Sequence, residues 1–206
     1  MPIFQMLQSG HYSIAAFLTW LLALVVGITV HEFAHAYRAD RAGDPTARAN
    51  GRVSLNPLDH YDPVGTTLIL LFGFGWGKPV PVNHFLFRNP RRDEIMVSLW
   101  GPLSNLITAT VLAIPVRFGV AGVYTPVLVA IIELQLILAV FNLIPVYPLD
   151  GSHILSALLP VEQARRLDAA YAQYGPLLLV VVVMVAGQFV WPVVNALLTL
   201  LLGPLA

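Results

Sequence analysis

No cysteine occurs in the 206 residues. That removes disulfides and thiolate metal sites, and leaves His, Asp and Glu as the side chains able to hold a metal. Charge is scarce as well. Only 11% of the residues are Asp, Glu, Lys or Arg, against about 25% in a soluble domain. Acidic and basic residues number 11 each, so there is no basic field of the kind that binds nucleic acid. The N-terminus has neither the basic region nor the small-residue cleavage site of a removable signal peptide, and the first apolar stretch is expected to be retained. What fills the chain instead is apolar: 57% of it is hydrophobic, and most of that must face lipid or a buried core.

Three uncharged runs are long enough for a membrane helix, which takes about 20 residues. They cover 18 residues from Ser13 to Val30, 22 from Ile95 to Val116 and 27 from Pro176 to Leu202. A fourth apolar stretch, from Tyr124 to Leu143, is interrupted by Glu133 and Gln135. Val64 to Gly77 is shorter and ends in three glycines; a run of about 14 residues suits a re-entrant or interfacial segment. If it dips in and returns, ten of the 11 Lys and Arg residues lie on one side and Arg117 alone on the other. The positive-inside rule favours that arrangement. It predicts four spans, with both termini outside and two large cytoplasmic connections. The segment from Gly73 to Asn83 carries glycines and two prolines, which rule out a helix. Val80 and Val82 alternate with Pro79 and Pro81, as in an edge strand. Val161 to Tyr174 is expected as a short amphipathic cytoplasmic helix. The expected fold is an all-α polytopic membrane protein. It has about four transmembrane helices, re-entrant segments and a small membrane-associated β-hairpin, in a single domain over residues 1–206.

The chemistry concentrates in His31-Glu32-Phe33-Ala34-His35. Residues i and i+4 share a helix face, so two imidazoles there can converge on one Zn²⁺ at about 2.0–2.1 Å. Glu32 is offset by about 100°, placed to take a proton from a water at the metal without binding the metal itself. A trio of hydrogen-bonded side chains lining a water cavity is the alternative. The motif, however, continues an uncharged membrane helix, where ionisable residues are costly and functional by default.

A catalytic zinc takes three protein ligands and keeps one position open. No further histidine follows at a useful distance, so a carboxylate is needed, and Glu133 and Asp150 are the candidates. Glu133 lies mid-helix, 17 residues before Asp150 and nearer the outer half of the bilayer. It is expected to be a buried carboxyl bonded to a neighbouring helix. Asp150 follows Pro145 and Pro148, which break the third span at the same end as the His31–His35 pair, and is the better match in depth.

With both motifs in view, the sequence resembles the site-2 protease family of intramembrane metalloproteases. The HEFAH motif in a membrane helix, followed by Leu149-Asp150-Gly151 after an Asn142-x-x-Pro145 break, carries the likeness. It extends to Gly43-Asp44, Asn56-Pro57, His60-x-Asp62-Pro63, the Gly-Trp-Gly-Lys-Pro-Val-Pro-Val stretch and Gly101-Pro-Leu-Ser-Asn105. It covers about residues 20 to 160, in a minimal form without PDZ or CBS modules. The resemblance implies His31, His35 and Asp150 as ligands of one Zn²⁺ per chain, and Glu32 as general base. It also implies that Asn105 and Asn142 sit near the metal as catalytic amides, donating to an oxyanion or holding substrate backbone. Lys78, Pro79, Val80, Pro81 and Val82 are expected to bind substrate by β-augmentation, and His60 to line the entrance. His11, His84 and His153 are expected to be structural. The implied partners are single-span membrane-protein substrates and the bilayer itself, with no nucleic acid. The implied location is a bacterial or archaeal type of cell membrane, with the active site toward the cytoplasm. A metal-ion transporter or a non-proteolytic scaffold are the rival classes; neither gives a reason for Glu32 between the two histidines.

Overall fold

A computed structural model of the chain describes residues 13–72 and 75–203. Among these residues, seven α-helices carry the fold. They are α1 (Ile14–Ala42), α2 (Thr46–Ala49), α3 (Pro63–Phe72), α4 (Pro90–Arg117), α5 (Thr125–Asn142), α6 (Asp150–Leu158) and α7 (Val161–Leu202). Three 3₁₀ turns, Pro57–His60, His84–Leu86 and Gly122–Tyr124, join them. Among the described residues, four helices are long and apolar enough to cross a membrane: α1, α4, α5 with its preceding turn, and α7. The protein is a helical, multi-pass membrane protein.

Local chemistry explains where the helices begin and end. The Ser13 side chain accepts from Ala16 N at 3.2 Å and caps α1. The helix stops at Gly43, whose φ of 112° lies in the left-handed region that glycine adopts without strain. At 29 residues α1 is about 44 Å long, longer than a hydrocarbon core of about 30 Å, so its last turns carry Arg38 and Arg41 beyond the apolar zone. Pro90 opens α4, where its missing N–H costs nothing. Asp93 then accepts from Asn89 N at 2.9 Å and pairs with Arg38 at 3.1 Å.

Between the spans the core is built from small residues facing large ones. Ala109 and Ala113 of α4 let α5 and α7 approach closely, against Ile132, Leu136, Val190 and Val194. A second cluster of Ala39, Ala42, Phe87 and Val97 joins the end of α1 to the start of α4. Large apolar side chains such as Leu18, Ile107, Val111, Met184 and Phe189 point outward, as lipid-facing positions do.

Two elements differ from expectation. No strand occurs among the described residues, so the expected hairpin is not seen there; Gly75 to Asn83 runs as an irregular strap. Pro79 and Pro81 have no N–H for a ladder, and no neighbouring segment pairs with them. Gly73 and Phe74, the start of that stretch, lie outside the described residues, as does His11. The cytoplasmic helix expected at Val161–Tyr174 and the last span are one continuous 42-residue helix. Gly175 and Pro176 look like a boundary. Here Gly175 leaves room for the Tyr147 ring, 3.1 Å from where a Cβ would sit, and a proline inside a helix forfeits one hydrogen bond without ending it.

The short α3 spans about 15 Å by its rise. After it the chain returns: the backbones of Gly75 and Trp76 lie against Gly65 so closely that neither glycine has room for a Cβ. Lys78 N then donates to His60 O at 2.9 Å, so the two ends of the segment lie side by side.

Candidate metal centre

His31 and His35 project from one face of α1, and their Nε2 atoms lie 3.0 Å apart. Asp150 is the first residue of α6, where a helix N-terminus favours a carboxylate. Its Oδ2 is 3.2 Å from His31 Nε2 and its Oδ1 3.3 Å from His35 Nε2. The loop before it folds back over the end of α5. A Cβ at Gly151 would lie 2.6 Å from Ile144 O, so only glycine fits there. Tyr171 of α7 donates to Pro145 O at 2.7 Å and pins the same loop.

Three observations fit a tetrahedral cation. Ligands about 2.0–2.1 Å from a zinc ion stand roughly 3.3 Å from one another; the two imidazole nitrogens are 3.0 Å apart, and each lies 3.2 or 3.3 Å from a different oxygen of the Asp150 carboxylate. His31 Nδ1 donates to Asn105 Oδ1 at 2.7 Å and His35 Nδ1 to Val97 O at 2.8 Å. With the protons on Nδ1, both Nε2 lone pairs face inward. Asp150 Oδ2 is buried and has no hydrogen-bond partner, an expensive state for a carboxylate oxygen that a cation relieves.

The surroundings leave one side open. Gly101 of α4 closes the floor: a Cβ there would run into the His35 Nε2 and lie 2.8 Å from His31 Cε1. Glu32 makes no hydrogen bond to any described residue, and its Oε1 lies 3.8 Å from where a Cβ on Gly77 would be. The strap therefore passes directly over this carboxylate. Buried Arg52 fixes the strap by donating to Lys78 O at 2.5 Å and Pro79 O at 3.1 Å. Buried Asp44 holds the far end, accepting from Asn83 N at 2.6 Å. Between these anchors the Val80 and Val82 amides bond to no described residue.

The other residues singled out from sequence fall in different places. Asn105 is fully buried behind His31. Its Nδ2 donates to Gly27 O at 3.0 Å and to Gln135 Oε1 at 2.6 Å. Both its protons are used, so it cannot donate to an oxyanion, and the expected catalytic amide becomes a support for His31. Asn142 donates to Leu138 O of its own helix at 3.0 Å and bonds to neither histidine. His60 does not line an entrance. It is 2% exposed, with Nε2 donating to Ser54 O at 2.8 Å and Nδ1 facing Arg52 at 3.5 Å. It is a strut under the strap, because its backbone O also takes Lys78 N. Glu133 lines a groove of about 690 Å³ with Ala15, Ala16, Thr19 and Trp20, away from the histidine pair. Arg52, Asp44, Gly101 and Gln135 had no assigned role in the sequence. Their partners at the site lie from 26 positions away (Arg52 to Lys78) to 70 (Gly101 to His31), and no local pattern marks such pairs.

The sequence profile of Peptidase family M50 matches residues 119–186. YwhC of Bacillus subtilis (strain 168) is 40% identical over 187 residues, covering 85% of each chain. The chain belongs to peptidase family M50. Rip2 of Mycolicibacterium smegmatis is 31% identical over 182 residues, covering 84% of this chain and 67% of the relative. MJ0392 of Methanocaldococcus jannaschii is 29% identical over 139 residues, 67% of this chain and 33% of that protein. All three carry "zinc metalloprotease" in their names. No solved structure matches the chain significantly. M50 is the site-2 protease family that the motifs resemble, and Zn²⁺ is the metal it implies for the three inward-facing donors.

Proposed function

We propose that this M50 member is an intramembrane zinc endopeptidase in which His31, His35 and Asp150 hold the metal and Glu32 is the general base. One observation carries the reading: two imidazole nitrogens and a carboxylate meet at tetrahedral spacing inside a bundle of membrane-length helices. Zinc held by these three residues would polarise the scissile carbonyl and make an adjacent water a nucleophile at neutral pH. Glu32, beside the set and free of other partners, takes the proton from the attacking water and passes it to the leaving amine. Asn105 keeps His31 in the Nδ1–H form throughout.

Substrate reaches the site as extended chain. A peptide bond inside a transmembrane helix is hydrogen-bonded and shielded, so the scissile stretch must unwind. The free amides of Val80 and Val82, held over Glu32 by Arg52 and Asp44, offer it backbone hydrogen bonds in place of those it loses. Lys78, Pro79 and Pro81 keep that edge extended. This supports substrate pairing at residues 78–82 even though no strand forms there in the chain alone. The substrates are membrane proteins, single-span ones in the first place. The basic residues gathered at the Gly43 end of α1 and in the connections support a site toward the cytoplasmic side of the cell membrane. A metal transporter has no use for Glu32 in its place, and family membership speaks against that class.

The deciding experiment compares the wild type with Glu32→Gln, reconstituted in bilayers with a single-span substrate. Equal zinc content with loss of cleavage in the variant is expected; cleavage at the wild-type rate would remove Glu32 as the base.

A further inference from the structure

Two imidazoles outside the metal-binding set meet at one carboxylate. Glu94, near the start of α4, is mostly buried, with 18% of its side chain exposed. Its Oε2 accepts from His84 Nδ1, and its Oε1 lies 3.4 Å from His153 Nδ1. The two imidazole rings face each other, centroids 6.5 Å apart and 15° from parallel. His84 opens the 3₁₀ turn into which the strap runs. His153 lies on α6, three residues after Asp150. The cluster lines a groove of about 740 Å³ between α4, α6 and the start of α7. It is a separate feature from the metal centre, one helical turn away along α6.

We propose that Glu94 is a positioning residue that couples the strap to the helix bearing Asp150. The geometry gives it that task. Arg52 and Asp44 tie the strap down from the α1–α2 side, and neither reaches α6. Among the described residues, Glu94 alone pairs through its side chain with both the strap's end and α6. One oxygen serves each. α6 has only nine residues, so a tilt that carries His153 away from Glu94 also moves Asp150. Each histidine is about half exposed, so each contact alone is modest; sharing one carboxylate makes the strap and α6 move as a unit. Without it, the strap leaves its docked position part of the time, and apparent substrate affinity falls by the docked fraction. The three metal donors remain.

This coupling rests on the protease reading for its effect on cleavage, but it has a readout of its own. The chain has no cysteine, so cysteines placed at Phe85, 98% exposed, and Leu158, 65% exposed, take spin labels uniquely. The distance between them is then measured by pulsed electron resonance on the zinc-loaded protein in bilayer discs. A narrow distribution is expected in the otherwise unaltered chain, and a broader one in Glu94→Gln and again in His153→Gln. In cleavage assays both substitutions are expected to raise KM by about three- to tenfold, the scale of one charge-assisted hydrogen bond partly screened by water. kcat should stay within about twofold, and zinc content unchanged. Broadening in a preparation that cleaves nothing at all supports the coupling and removes the protease reading. An unchanged distance distribution overturns the coupling and leaves the protease reading standing. Loss of zinc with KM unchanged also overturns it, since Glu94 would then serve only the fold around the metal.

Discussion

His31 Nδ1 and Asn105 Oδ1 stand 2.7 Å apart, joining α1 to α4 across 74 positions of sequence. The contact decides which nitrogen of His31 faces the metal. Asn105 in turn is held by Gly27 O and Gln135 Oε1, so three helices fix one imidazole.

Replacing Asn105 tests this directly. Asn105→Leu keeps volume and removes the acceptor, and is expected to weaken zinc binding by about 10- to 100-fold, as loss of an orienting partner does. Asn105→Asp retains an acceptor for the Nδ1 proton and should lose less. Chelator competition measures both. Equal zinc affinity in Asn105→Leu and the wild type would show that His31 is oriented by something else.

Gly101 offers a sharper case. A Cβ at this position runs into the His35 ring, so Gly101→Ala is expected to displace the imidazoles and abolish stoichiometric zinc binding. The cost to folding should stay near about 1–3 kcal/mol, the range for overpacking. Gly187→Ala on α7 is the control. A Cβ there meets nothing within 4 Å, and the substitution should stabilise its helix by about 0.5–1 kcal/mol. Zinc content against helical content separates the two. A Gly101→Ala protein that loads zinc normally would contradict the close approach.

Much of this centre is legible in the chain. Helix periodicity puts His31 and His35 on one face, and matching the depths of two helix ends brings Asp150 to them while leaving Glu133 higher. Their ligand roles are what the variants address. The supports are not legible, for a physical reason. Gln135, Gly101 and Arg52 act through partners on other elements, and a sequence marks local geometry far better than long-range contact. The strap misleads differently. Valine alternating with proline does describe an extended edge, but a strand exists only when something pairs with it. The run at Gly175–Pro176 misleads because a buried glycine can serve a neighbouring ring rather than a turn.

Arg52 should control the strap. It is 5% exposed and spends its terminal nitrogens on the Lys78 and Pro79 carbonyls. Arg52→Lys keeps the charge but loses the fork that reaches both carbonyls. Faster amide exchange over residues 75–83 is expected, with KM raised and zinc content unchanged. Exchange rates identical to the wild type would mean that Asp44 and the His60 carbonyl hold the strap by themselves.

The last expectation concerns pH. His84 gains a hydrogen bond from its place beside Glu94, and this raises its pKa above the usual 6.5; partial burial works against the shift, while the charges of Glu94 and Asp44 add to it. A histidine whose folded pKa is raised binds its proton more tightly in the native state than in the unfolded one. The stability it contributes is therefore fully present below about pH 6.5. It fades as the pH climbs through the raised value, because there the folded state still holds a proton that the unfolded state has released, so falling proton activity penalises folding. His153 faces the same carboxylate, so the variant compared must leave it in place. His84→Gln retains a hydrogen-bond donor and removes the titration. Thermal unfolding of the wild type, minus that of His84→Gln, should favour the wild type at pH 6 and converge on the variant as the pH rises above the raised pKa. A difference that grows with rising pH would reverse the sign, and one that stays flat would show that His84 bonds to Glu94 as a neutral ring.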